Sequence, residues 1–352
     1  MSNVKKRDYD ADLDRLKTFI DSYHNNDPDS GKKVFKYGDM VRDIANRERI
    51  QMEIDLDELA DFDEDLAEAV RGNIIRYQRL IASALDDLIP KYRSVEHPPV
   101  KDILDTYIEH RQLLEDRVHP DPNEARPAHE RFPPQLMRRF EVAFTEPKGR
   151  YRSKAVRDVK SSDIGKLVSV KGIVTRATEV KPQLEVATYT CDRCGAEIFQ
   201  PIGGPHFKPL ADCPAKDCTD NKAGGRLTLE HRGSKFVKFQ ELRVQEHSDQ
   251  VPDGGIPRML TVHCRGENCR QAGPGDHVVL QGVYLPVASG SAFNRGLVSE
   301  TLFDAHKIYK MNKAESEDDE PLTQDEVNEI MSGNFYDKLS QVSIFISSYK
   351  KY

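Results

Sequence analysis

Four cysteines within residues 189–218 are the side chains of this sequence best suited to chemistry. "YTCDRCG" and "CPAKDC" set Cys191, Cys194, Cys213 and Cys218 in a C-x2-C, x18, C-x4-C pattern. Two thiolates separated by two residues can face one ion from a tight turn. Zinc takes four such donors in a tetrahedron, with Zn–S about 2.3 Å. Gly195 follows Cys194 and can adopt the positive φ such a knuckle requires. The site expected is a closed, structural zinc. A catalytic zinc keeps an open position, and four thiolates leave none. Iron or a redox pair are the remaining alternatives. His206 lies between the halves as a fifth donor that the ion does not need. Cys264 and Cys269 in "HCRGENC" have no partner pair and read as ordinary strand and loop residues.

A second set is cationic. Arg176 precedes the cysteine segment and Arg243 follows it, each in a β-rich run. Lys171, Arg232, Lys235 and Lys238 add charge, with Phe236 and Phe239 among them. Single-strand binding uses a cationic groove, often with aromatic platforms. Here the aromatics are expected to alternate into a core, which leaves the phosphates as the contacts. Charges scattered over an ordinary sheet are the alternative.

The elements that must hold these residues differ along the chain. Apolar residues recur with helical spacing over 9–24, over 62–89 up to Pro90, and over 100–117. Residues 1–135 therefore read as a helical subdomain, closed by the Pro-rich "HPDPNEARPAHERFPPQ". Beyond it lie the β-rich runs "KLVSVKGIVTRATEV", "GRLTLEH", "KFVKFQELRVQEH", "RMLTVHCRG" and "DHVVLQGVYLP". Five short strands suggest a small barrel, with Gly172 and Gly282 at sharp bends or bulges. The fold class expected is multidomain α+β. An OB-fold barrel spans 136–310 and carries a zinc-ribbon-like insertion at 187–227. A hairpin is expected at 285–302, then an acidic linker from 311, "NKAESEDDEPLTQDE".

Composition limits the function classes. The 352 residues are 32% charged and 38% hydrophobic, with net charge −7. There is no run of 18 apolar residues, so no membrane partner is expected. The N-terminus has no signal-peptide core, and six cysteines without one argue for a reducing compartment. The net charge conceals a division: residues 51–68 hold nine acids and no base, whereas 148–181 hold ten Lys/Arg against three acids. Such a chain can be acidic overall and still present a basic face. Two ordinary solvated surfaces are the plain alternative.

"GKLVSVKGIVTRATEVKPQLEVATYTCDRCG", "SDQVPDGGIPR" and "PGDHVVLQGVYLP" resemble the minichromosome maintenance (MCM) family of replicative helicases over 140–341. "YTCDRCGAEIFQPI" and "LVSETLFDAHKI" make it similar to the seventh subunit type of the eukaryotic ring. "IDLDELADFDEDLAEAV" extends the likeness into the helical part. The resemblance implies the N-terminal collar of a nuclear, hexameric DNA helicase that acts in origin licensing, initiation and fork unwinding. It implies other MCM subunits as partners, with zinc subdomains meeting between two rings. It also implies single- and double-stranded DNA and replication loading and activation factors. By position, Arg176 and Arg243 look like the family's single-strand-binding pair. Arg295 looks like the base near the hairpin tip, and "EHSDQVPDGGIPR" like a relay loop.

The family's ATP- and Mg2+-dependent motor needs a P-loop, and no G-x4-G-K-[ST] occurs in these residues. ATP hydrolysis is not expected of this chain alone. "GNFYDKLSQ" resembles the start of a linker helix, after which 342–352 depart from the family. Val342-Ser343 can be encoded by GTAAGT, a splice donor, so translated intron or a gene-model error is expected. A shortened isoform is the alternative, and uninterrupted mRNA through codon 342 would refute the intron. Two functions from other classes compete: a stand-alone zinc/OB-fold single-strand-binding protein, and a zinc hydrolase, disfavoured by the all-cysteine site.

Overall fold

The computed structural model describes residues 7–26, 33–93, 100–118, 132–146, 153–204, 207–220, 224–252, 254–291 and 294–311. The acidic linker and the 342–352 segment lie outside them. The N-terminal part is helical: α1 (Tyr9–Ser22), a small ladder of β1 (Asn25–Asn26) and β2 (Lys33–Val34), then α2 (Lys36–Ala45). Strand β3 (Gln51–Asp55) leads to α3 (Leu56–Phe62), α4 (Glu64–Gly72), α5 (Ile74–Tyr92) and α6 (Ile103–Val118). A short helix, α7 (Pro134–Met137), precedes β4 (Glu141–Thr145), which pairs in parallel with β3.

The acidic run is partly architectural. Asp55, Asp63 and Asn73 cap α3, α4 and α5 by accepting the backbone N–H groups of Asp57, Leu66 and Arg76. The continuous helix expected over 62–89 is therefore broken at Asn73. Pro90 does not end α5 but sits in its last turn, where it forgoes only the one bond its N–H would have donated to the Asp86 carbonyl. Leu16, Phe19, Tyr37, Leu66, Tyr77 and Leu85 fill the core between these helices.

After β5 (Lys154–Ala155) comes the barrel. Its strands are β6 (Leu167–Ala177), β10 (Lys235–Gln245), β11 (Met259–Arg265), β12 (His277–Ser291) and β13 (Asn294–Met311). They pair in the order β6-β12-β13-β11-β10, and β10 returns to β6 to close the circle. Antiparallel pairs with one parallel contact, β11 on β13, give the OB-fold topology. Between β6 and β10 an insertion carries β7 (Lys181–Cys191), β8 (Glu197–Pro201), α8 (Lys216–Asp220) and β9 (Leu227–Leu229). "GRLTLEH" is thus not a barrel strand: it becomes β9, on the edge of β7, and β13 is the fifth member.

The two glycines act through close approach. A Cβ on Gly172 would stand 2.5 Å from Val244 Cγ1, and one on Gly282 would meet the Asp304 carbonyl oxygen and, at 2.7 Å, Phe303. Val170, Val174, Leu242, Val244, Val262 and Phe303 fill the barrel. Buried polar bonds tie barrel to helices. The Phe144 N–H donates to His306 Nδ1 at 3.1 Å, and Gln281 both accepts from the Glu146 N–H and donates to its carbonyl. No helix among the described residues is long and apolar enough to cross a membrane.

A tetrathiol cluster and a candidate nucleic-acid face

The cysteine pattern closes in space. The sulfurs of Cys191, Cys194, Cys213 and Cys218 all lie within 4.8 Å of one another. Cys191 to Cys218 and Cys194 to Cys213 are each 3.7 Å. Four donors at about 2.3 Å around a tetrahedral centre stand about 3.8 Å apart, so this spacing suits one ion and not a disulfide. The first knuckle is a turn off β7: the Gly195 N–H donates to the Cys191 carbonyl, with Gly195 at φ +69 as expected. The second is held by Cys213 N–H donating to Gly225 and Cys218 N–H to Ala215. The Cys194 and Arg193 N–H groups point at the Cys191 sulfur and bring its thiol down to about 7, whereas burial pushes Cys213 up to about 12. Asp192 ties the halves together by accepting from the Arg226 N–H at 2.7 Å.

Cysteine spacing does not single out Gly225. A Cβ there would stand 2.5 Å from the Cys191 sulfur and 3.0 Å from that of Cys218. The run "KAGG" after the last cysteine was the available signal. Cys264 and Cys269 lie apart from the cluster, and burial raises Cys264 to about 12. His206 lies outside the described residues.

The cations divide. Arg243 on β10 lies directly opposite Arg176 on β6 and opposite Thr261 on β11. Opposed residues share a face, and the neighbouring Leu242 and Val244 fill the barrel, so both arginines project outward. Both are exposed; Arg243 reaches Glu241 only at 3.9 Å. Lys238 has the parity of Leu242 and so leaves the other face of β10, where it is exposed and 3.7 Å from Glu267. Lys235 departs from expectation. Its ammonium donates to the Gln135 carbonyl at 3.0 Å and pairs with Glu185 at 2.7 Å, with the side chain 13% exposed. It fastens β10 to the α7 segment instead of facing solvent. Arg295 is on β13, and its side chain lies outside the described residues.

The aromatics also depart from expectation. Phe236 is 42% exposed, and Phe239 sits half-buried on the Arg243 face, edge-on to His263. Helix α6 reaches the insertion through Glu197, which accepts from the Tyr107 hydroxyl and from Arg111, each at 2.6 Å.

Comparison with known proteins fits this geometry. Residues 14–146 match the model of the MCM N-terminal domain and 155–288 that of the MCM OB domain. The chain is 51% identical over 341 residues to the DNA replication licensing factor mcm7-B of Xenopus laevis, covering 95% of this chain and 46% of that one. It is 35% identical over 323 residues to mcm7 of Schizosaccharomyces pombe, covering 89% and 41%. The chain thus spans about half the length of the curated relatives it matches. The crystal structure of the N-terminal domain of an archaeal MCM shares the fold, with TM-score 0.59 and 18% identity, covering 87% of this chain and all of that one. The chain carries the N-terminal and OB domains of the MCM proteins and belongs to that family.

Proposed function

We propose that this chain is the DNA-binding collar of a replicative helicase subunit acting in replication licensing in the nucleus. Its barrel would bind single-stranded DNA, and residues 187–227 would form a zinc-binding insertion used in assembly with related subunits. Curated relatives named as replication licensing factors support this reading.

One observation carries the DNA contact: the ladder sets Arg176 against Arg243 on an exposed barrel face. Two guanidiniums side by side repel unless an anion lies between or above them, and adjacent phosphates are such anions. Lys238 and Arg295 take supporting positions in this reading, Lys238 from the other face of β10. The tetrathiol cluster takes zinc, because four sulfurs at this spacing suit a d10 ion without an open position. In these residues zinc would hold the insertion together and drive no reaction. No P-loop occurs in them, and ATP hydrolysis is not assigned to them.

The test is a salt series of single-strand titrations by fluorescence anisotropy. Arg176→Ala/Arg243→Ala should weaken binding and lower the slope of log K against log salt by roughly one to two. An unchanged slope would remove the pair from the DNA path. Co-purification with related subunits distinguishes a ring member from a stand-alone binding protein.

A further inference from the structure

The outer face that carries Arg176 and Arg243 continues along β10. Two residues before Arg243, Glu241 lies opposite His263; two before that, Phe239 lies opposite Arg265 on β11 and Lys181 on β7. All of these share the face. Two rows of cations therefore cross the sheet, Arg176–Arg243 and Lys181–Arg265. They are separated by about 13 Å, the rise of four strand residues. Phe239 stands in the second row, between Lys181 and Arg265, and His263 stands between the two rows. The Phe239 and His263 rings lie 5.0 Å apart at 82°.

The pair has features of a contact surface. Phe239 belongs to none of the apolar cores formed by the described residues, while its strand neighbours Leu242 and Val244 do. Arg265 is fixed beside it by Asp304 at 2.7 Å and Gln183 at 3.3 Å. Burial and the Arg265 charge hold the His263 imidazole below its ordinary pKa, against the opposing pull of Asp304 and Glu241. The ring is then an uncharged aromatic at neutral pH. Cations alternating with aromatic rings are the arrangement that holds phosphates and stacks bases together.

We propose that Phe239, buttressed edge-on by His263, is a base-stacking platform set in the Lys181–Arg265 row, four strand residues from the Arg176–Arg243 row. The face would then contact the bases of a single strand as well as its phosphates. This rests on the reading that the barrel binds single-stranded DNA through Arg176 and Arg243, and the experiment separates the two claims.

The full chain is titrated with a fluorescein-labelled oligothymidylate and with an abasic strand of the same length, in a salt series. The wild type should prefer the thymidylate by about tenfold, the effect of losing stacking at one base. Phe239→Leu keeps an apolar side chain of similar bulk without a π face; it should lose most of the preference and leave the salt slope unchanged. Phe239→Trp should restore it. Equal binding of both strands by the wild type, or an undiminished preference in Phe239→Leu, overturns the platform. A salt slope that Arg176→Ala/Arg243→Ala leaves unchanged overturns the underlying phosphate reading instead.

Discussion

At Gly225 a single hydrogen atom leaves room for two sulfurs: any Cβ would press on Cys191 and Cys218. Gly225→Ala should therefore weaken zinc about tenfold or more, as loss of outer-shell support at a metal site does. Competition with a chromophoric chelator measures it, and unchanged affinity would show that the knuckle yields. Acid should weaken zinc in both forms, because thiols must lose protons to bind. Glu146 sets a second expectation. Burial raises its carboxyl from 4.5 to about 7. The folded state then holds a proton that the unfolded state releases above about 4.5, so stability falls as pH rises from 4.5 to 7. Glu146→Gln should be more stable than wild type by about 2–3 kcal/mol at pH 8 and no different at pH 4, read from urea unfolding at both. At this scale the cysteines were legible, because ligand spacing is local. Lys235 was not: its partner, the Gln135 carbonyl, is distant in sequence, and charge alone cannot tell a fastened lysine from a free one.

Barrel closure depends on strands that cross without side chains between them. A Cβ on Gly282 meets the backbone of Asp304 and Ala305, which cannot swing aside as a flexible side chain can. Gly282→Ala should cost about 2–3 kcal/mol, the range of overpacked cores. Gly172→Ala meets Val244 and the Gln245 carbonyl and should also destabilise. Urea unfolding reads both, and a neutral Gly282→Ala would mean that β12 and β13 can separate there. Period-2 patterning made four barrel strands legible. The fifth is not fixed by that pattern, which "GRLTLEH" and β13 share; only pairing decides which strand completes the barrel. Helix α2 is hard to read from sequence although Tyr37, Val41, Ile44 and Ala45 follow a helical spacing, because Gly38 weakens the local signal and Phe35 supplies no side-chain cap.

The described residues form four apolar clusters: in the helical part, in the barrel, in the insertion, and a small one joining α6 and α7 to β7 and β8. The core of the insertion, with Ala187, Tyr189 and Ile198 around the cysteines, is distinct from that of the barrel. Cys213→Ser should release zinc and speed amide exchange over 187–227 while the barrel keeps its protection. Exchange that rises equally in β6 and β12 would show one cooperative unit. The junction between barrel and helices was the least legible part. It is made of buried polar bonds such as Phe144 with His306 and Glu146 with Gln281, whose partners no local pattern announces. In the proposed function a single strand would lie along the outer face of β6, β10 and β11. Photo-crosslinking to an iodouracil-containing oligonucleotide, followed by peptide mapping, tests it most directly. Adducts are expected within 176–181, 239–243 and 261–265. Adducts confined to the helical part or to the insertion beyond Cys191 would contradict it.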